Sequence, residues 1–334
     1  MLPVFFLVFS LVAPLPIFYY IESYCEISPM EILHVLYAMS GSLLDDFTLI
    51  GAFILICLLN TCLIVGNLSL KKEFIDLIKF FSQVDIQRSI KITLKRKVSI
   101  LLFVLYLCLC FLAMNCSFIV TMINEVGIDI PTAIILGIVC FIQFFTFNGG
   151  IVGFLIMYSE VCYQLISWMI SMTRRIESNY EVVEFHECLR FYKHGLKRAN
   201  DMFSRLLFCI TTLYLIIMIF VAYLAMSFLF DSHENGLPPI RIFILMVSFA
   251  FIFTLYFLND LSQQVTNNLY RLKEGISLSS NFTFEEKWEL IQNMNCFNGF
   301  EAYGFFTLGK PHLTSVAANF STFIIILIQF KMAT

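Results

Sequence analysis

The sequence predicts an all-α polytopic membrane protein with seven transmembrane helices, its N-terminus cytoplasmic and its C-terminus extracellular. Three observations carry that expectation. The chain is 59% hydrophobic and 13% charged, against about 25% charged in soluble domains. Its apolar residues gather into continuous spans near 1–20, 46–66, 98–122, 131–158, 205–230, 239–258 and 311–330. Each is close to the roughly 20 residues that cross about 30 Å of hydrocarbon. Of the 21 Lys and Arg residues, all but Arg205, Arg241 and Lys331 lie in the linkers after the second, fourth and sixth spans. Basic residues accumulate on cytoplasmic loops, so these linkers face inward. A transmembrane β-barrel is disfavoured because the apolar runs are unbroken rather than alternating.

The first span starts at Met1 with no basic segment and carries Pro3, Pro14 and Pro16. A signal peptide has a positive start and a small-residue cleavage site, so this stretch reads as a span. The second span leads into Phe74, Leu77, Ile78 and Phe81 at helical spacing, with Lys71, Lys72, Asp76 and Lys79 between them. That pattern predicts a helical extension below the membrane over 67–97. Spans three and four are joined by a short outer linker of about 8 residues, and a second cytoplasmic extension, 159–204, follows. Spans five and six are again joined by a short outer linker, and 285–303 returns to mixed apolar and charged character. These extensions form a folded cytoplasmic layer. It reads either as a contact between subunits or as an amphipathic surface on the inner leaflet.

The outer linkers and their edges hold Glu22, Glu26, Glu31, Asp45, Asp46, Glu125, Asp129, Asp231 and Glu234, without Lys or Arg. An acidic rim concentrates cations, although exclusion of basic residues leaves acids behind by itself. Of the 11 cysteines only Cys25 lies clearly in an outer linker, so an extracellular disulfide framework is not expected. The glycosylation sequons at Asn67, Asn115, Asn281 and Asn319 fall in the membrane or cytoplasm on this topology and are expected to be silent. No phosphate loop, zinc cluster or catalytic triad signature is present. His186 and Cys188 have no third ligand near them. An enzyme, a metal, a cofactor and a nucleic-acid partner are therefore not expected.

The seventh span is the most informative helix. With Gln329 at zero on a helical wheel, Pro311, Ser315, Ala318, Thr322, Ile325 and Ile326 fall within roughly 60° of it. His312, Thr314, Asn319 and Ser321 flank that arc, and Leu313, Val316, Phe320, Phe323, Ile324 and Leu327 lie opposite. Hydrocarbon cannot hydrogen-bond a polar stripe, so the stripe must face protein or water. Two readings stay open on the residues alone. The small and polar residues let helices pack closely, or they line a water-filled path around an axis.

The end of this span, Thr322-Phe323, then Ile324, Ile325, Ile326, Leu327 and Ile328, then Gln329-Phe330, resembles the C-terminal signature of the insect gustatory receptor family. That signature is Thr-Tyr, five hydrophobic residues and Gln-Phe, so Phe323 stands where Tyr is usual. Gly304-Phe305-Phe306-Thr307-Leu308 resembles the segment preceding the last helix in that family. The resemblance implies a ligand-gated non-selective cation channel for a small-molecule tastant. It implies a homo- or hetero-tetramer in the plasma membrane of a sensory neuron dendrite, with the last helix of each subunit lining one pore. Residues 1–258 would form a six-helix ligand-binding bundle, and 259–334 a cytoplasmic anchor segment with the pore helix.

Carried over to this chain, Gln329 and Phe330 would sit at the outer gate, with Ile326, Ile325, Thr322 and Ser315 continuing the path inward. Lys331 fits that placement poorly, because its ammonium would repel cations at the mouth unless it snorkels to headgroups. Asn115, Ser117, Thr121, Thr132, Tyr223, Arg241 and Phe243 fall in the outer halves of their spans and are the candidate ligand residues, each open to ordinary packing instead. Two other readings are a channel subunit of the related odorant-receptor type needing a co-receptor, and a metabotropic seven-helix receptor. The charge pattern contradicts the last, and no Asp-Arg-Tyr or Asn-Pro-x-x-Tyr motif is present. A transporter is disfavoured by the lack of repeat symmetry.

Overall fold

The structure is a computed structural model that describes residues 43–82, 90–124, 130–177, 182–230, 238–295 and 299–333. The first predicted span and the outer linker carrying Cys25 lie outside the described residues. The other six predicted spans each fall on one long helix: α1 (Leu43–Ser82), α2 (Ile90–Asn124), α3 (Ile130–Glu177), α4 (Val182–Phe230), α5 (Pro238–Leu278) and, after a short helix α6 (Phe284–Met294), the last helix α7 (Lys310–Ala333). Between α6 and α7 a small antiparallel hairpin pairs β1 (Glu301–Ala302) with β2 (Phe306–Thr307).

The helices are longer than a bilayer requires. α3 has 48 residues and α4 has 49. At 1.5 Å per residue each is about 70 Å long, more than twice the hydrocarbon thickness. The expected extensions are thus continuous with the spans, and only the linker around 83–89 separates α1 from α2 over the predicted 67–97 segment. The boundary drawn at 258/259 falls inside unbroken α5.

Packing differs sharply along these helices. α1 lies chiefly against α4, α3 against α5 and α2, and α2 against α5. The α1–α4 seam is close: a Cβ at Gly66 would stand 2.8 Å from a Leu206 methyl, and one at Gly195 2.8 Å from the Phe81 ring. The densest core belongs to the extensions. Trp168 of α3 stacks on Tyr192 of α4 at 4.3 Å, and Tyr158 packs edge-on to Phe203 at 5.3 Å and to Phe300 at 5.2 Å. The membrane-level portions instead expose large apolar side chains, including Leu101, Leu105, Leu109 and Leu112 of α2, Ile134, Ile135 and Ile138 of α3, and Ile252 of α5. Water-soluble proteins rarely carry apolar surface on this scale. Among the described residues, the stretches 54–81, 149–176 and 185–223 are long and apolar enough to cross a membrane.

α6 starts with a complete capping box. The Thr283 hydroxyl accepts from the Glu286 amide, and the Glu286 carboxylate accepts from the Thr283 amide at 2.8 Å. The Thr283 amide first, and then the Thr283 hydroxyl donating to the same carboxylate at 2.9 Å, hold the Glu286 carboxyl below the usual range. Because the folded value is depressed, the stabilisation is present above the unfolded value and is lost as pH falls through the folded value. Acidification should therefore fray the first turn of α6. Hydrogen exchange at Glu285 and Glu286 should rise on acidification after correction for intrinsic rates, and this extra rise should vanish in Glu286→Gln.

Candidate functional site: the last helix and its clasp

Among the described residues, α7 touches the rest of the chain along one edge. Leu313, Val316 and Phe320 pack against the core, and Phe323 and Ile324 are half-buried on the same side. The predicted stripe faces the other way. Ser315, Thr322, Ile325, Ile326 and Gln329 are all exposed, together with Thr314, Ala318, Asn319 and Ser321. The side chain of Phe330 lies outside the described residues. Among the described residues, no helix of the chain buries the stripe.

Three hydroxyls on this face are already committed as donors. Thr314 donates to Lys310 O at 3.0 Å, Ser321 to Ala317 O at 2.9 Å and Thr322 to Ala318 O at 3.0 Å. This back-bonding to the preceding turn is common for Ser and Thr in helices. It leaves the oxygen lone pairs as acceptors, a surface suited to cations rather than anions.

The start of α7 is held by amide and hydroxyl side chains of α5. Asn259 Oδ1 accepts from Gly309 N at 2.8 Å and lies 3.0 Å from His312 Nδ1. Gln263 Oε1 accepts from Lys310 N at 3.1 Å. Ser262 Oγ donates to Leu308 O at 2.9 Å and accepts from Phe300 N at 3.2 Å. Of the free N–H groups that open every helix, those of Gly309 and Lys310 are thus taken up by α5. The His312 ring also lies flat on Phe306, 4.3 Å away.

The motif residues before the helix build the hairpin that feeds this clasp. Tyr303 has φ 52° and Gly304 φ 76°, and Phe305 N bonds Ala302 O at 3.0 Å. Two consecutive positive φ values define a type I′ turn, whose second position favours glycine. Leu308 is buried, and its amide donates to Phe300 O at 2.8 Å. Phe306 is the platform for His312, and Phe305 projects from the turn.

The candidate ligand residues do not assemble into one described site. Asn115 is half-buried and donates from Nδ2 to Gly137 O at 3.2 Å, tying α2 to α3. Tyr223 is half-buried. The side chains of Ser117, Thr121, Thr132, Arg241 and Phe243 lie outside the described residues. A large open groove, about 880 Å³, lies elsewhere, between the end of α1, the start of α4 and α6. Arg190, Lys193 and Lys197 line it together with Glu187 and Glu289, so its charge selects strongly for neither sign.

A sequence profile described as the 7tm chemosensory receptor family matches residues 2–334, essentially the whole chain. The chain belongs to the 7tm chemosensory receptor family. A search of curated protein sequences finds no match. Among solved structures, this chemosensory receptor is similar to the insect olfactory receptor OR5 from Machilis hrabei. The similarity has a TM-score of 0.65 at 12% identity and covers 89% of this chain and 84% of that one. The same receptor in complex with eugenol gives a TM-score of 0.65 at 11% identity, over 98% of this chain and 88% of the other. The fold is therefore that of OR5, and the family is a chemosensory receptor family, as the ending of the sequence led one to expect. The protein is a multi-pass membrane receptor and not an enzyme.

Proposed function

We propose that this chemosensory receptor is a subunit of a ligand-gated, non-selective cation channel in the plasma membrane, with seven spans, an internal N-terminus and an external C-terminus. Four copies, alike or mixed, would bring their α7 helices around one axis. The observation that carries the reading is the outward-facing polar stripe of α7, with its hydroxyl donors spent inside the helix. A stripe of this kind at membrane depth needs water or protein, and the described residues of its own chain leave it uncovered. Gln329 and Phe330 form the outer gate in this reading, Ile326 and Ile325 the constriction behind it, and Thr322 and Ser315 the path inward. Residues 1–258 hold the ligand, and 259–334 the anchor and pore.

The Thr322-Phe323 and Gln329-Phe330 pairs favour a gustatory receptor for a small-molecule tastant, in the dendrite of a sensory neuron. The likeness to OR5, which binds eugenol in one of its structures, supports a small-molecule ligand. It also keeps an odorant-type subunit as the second reading. The exposed Leu278, Phe284 and Trp288 at the cytoplasmic end supply apolar surface for contact between subunits.

The test is electrical. The receptor, expressed alone or with co-receptors and screened against small molecules, should give ligand-evoked inward current. Gln329→Ala should shift its reversal potential under bi-ionic conditions. Currents that require a G protein and ignore every change in α7 would refute the channel. A C-terminal tag that antibodies reach on intact cells would support the orientation, and one reached only after permeabilisation would refute it.

A further inference from the structure

Three contacts fix how the hairpin lies on α4. Glu301 N bonds Asn200 Oδ1 at 2.8 Å. The Arg205 guanidinium lies over the Tyr303 ring, 5.9 Å from its centroid. The Phe305 ring stacks on Phe208 at 4.8 Å. Residues 200, 205 and 208 climb α4, with 205 about 7.5 Å and 208 about 12 Å above 200. The hairpin therefore runs along α4 with its turn pointing in the direction in which α4 becomes wholly apolar.

That direction leads into the bilayer. Arg205 is the last charged residue before the uncharged stretch 206–230, and Lys310 is the last before the span 311–330. Both basic residues are exposed at the same end of their spans. The turn between them presents Tyr303 at 56% and Phe305 at 71% exposure. Aromatic rings at headgroup depth, with Arg or Lys beside them, are the usual anchor at a membrane surface. The nearby acids lie lower. Asp201 is one turn below Arg205, and Glu301 is level with Asn200. No carboxylate among the described residues pairs with Arg205, so the cation is left facing the boundary.

We infer that the 301–307 hairpin is a lipid-binding wedge: Phe305 and Tyr303 enter the inner leaflet, and Arg205 binds the headgroup of an anionic lipid. The cytoplasmic leaflet carries the negative surface that suits such a cation. The rings suit the acyl boundary better than a protein partner would require, since the turn exposes no hydrogen-bonding side chain beyond the Tyr303 hydroxyl. The wedge is continuous with Leu308, Gly309 and the α5 clasp, so lipid at the turn bears on the start of α7. This inference rests on the membrane placement above.

The test is tryptophan quenching by brominated lipid. The chain has 2 Trp residues. Trp168 is buried and Trp288 lies on α6, so the quenching of the parent is measured first and subtracted. Phe305→Trp, reconstituted in phosphatidylcholine with a minor fraction of phosphatidylserine, should lose about half or more of its added fluorescence when all chains are brominated. With bromine on the phosphatidylserine alone, quenching should exceed the level its mole fraction predicts. Arg205→Gln should return it to that level. Leu109→Trp, on the exposed apolar face of α2, is the control and should be quenched in any case. Phe305→Trp unquenched beside a quenched Leu109→Trp overturns the wedge while leaving the membrane placement intact. Failure of both overturns the placement itself. Quenching at the mole-fraction level with Arg205 present overturns the anionic headgroup.

Discussion

Asn259→Leu should loosen the last helix and cut ligand-evoked current about tenfold or more at normal surface expression. Asn259 is almost fully buried and gives one oxygen to both Gly309 N and His312 Nδ1. Leucine has nearly the same shape and no acceptor. The change leaves two donors without a partner, at about 1–3 kcal/mol for each buried group. Exchange of the Gly309 amide should then quicken by at least about tenfold, since 1.4 kcal/mol is a factor of ten. The current evoked by the first agonist found should fall by a similar factor. His312→Phe keeps the flat stack on Phe306 and loses one bond, so its effect should be smaller. The two changes share a bond, and their combined effect should fall short of the sum. Unaltered exchange and current in Asn259→Leu would show that α5 does not hold α7 in the working receptor.

Trp168→Ala should cost the most stability of any single change considered. The ring is 2% exposed and stacks on Tyr192 at an interplanar angle of 8°. Truncating a buried Trp to Ala costs about 3–5 kcal/mol, as lost burial plus the cavity left behind. Domain stabilities are about 5–15 kcal/mol, so this is a large share. The detergent-solubilised receptor should melt several degrees lower and reach the cell surface in smaller amount. Trp168→Phe retains an aromatic face against Tyr192 and should recover much of the loss. An unchanged melting temperature for Trp168→Ala would mean that the cytoplasmic layer is not where this receptor keeps its stability.

The legible parts of the fold were those written as periodicity. Continuous apolar runs marked the six described long helices, and the spacing of Phe74, Leu77 and Phe81 marked the continuation of α1 to Ser82. The wheel of α7 separated its apolar and polar sides, and Leu313, Val316 and Phe320 are the residues that pack inward. The clasp was not legible. Ser262 and Asn259 act on residues 46 and 50 positions away, and polar residues within a helix otherwise read as a solvated face. Asn115 shows a second gap, one that leaves its candidacy as a ligand residue untouched. It stood out as a polar group in an apolar span, but its partner is the backbone carbonyl of Gly137. A backbone acceptor leaves no mark in the sequence. The hairpin was too short to register as strands, with two residues in each. Gly304 registered only as part of a motif, although the turn it makes supplies a physical reason for it.

The uneven packing of the long helices has an evolutionary consequence. Where side chains meet lipid tails, one aliphatic residue substitutes for another at little cost, because no complementary surface must change with it. Where Trp168, Tyr192, Tyr158 and Phe203 interlock, most substitutions are felt. Such a molecule can diversify its lipid-facing surface while the interlocked half preserves the architecture.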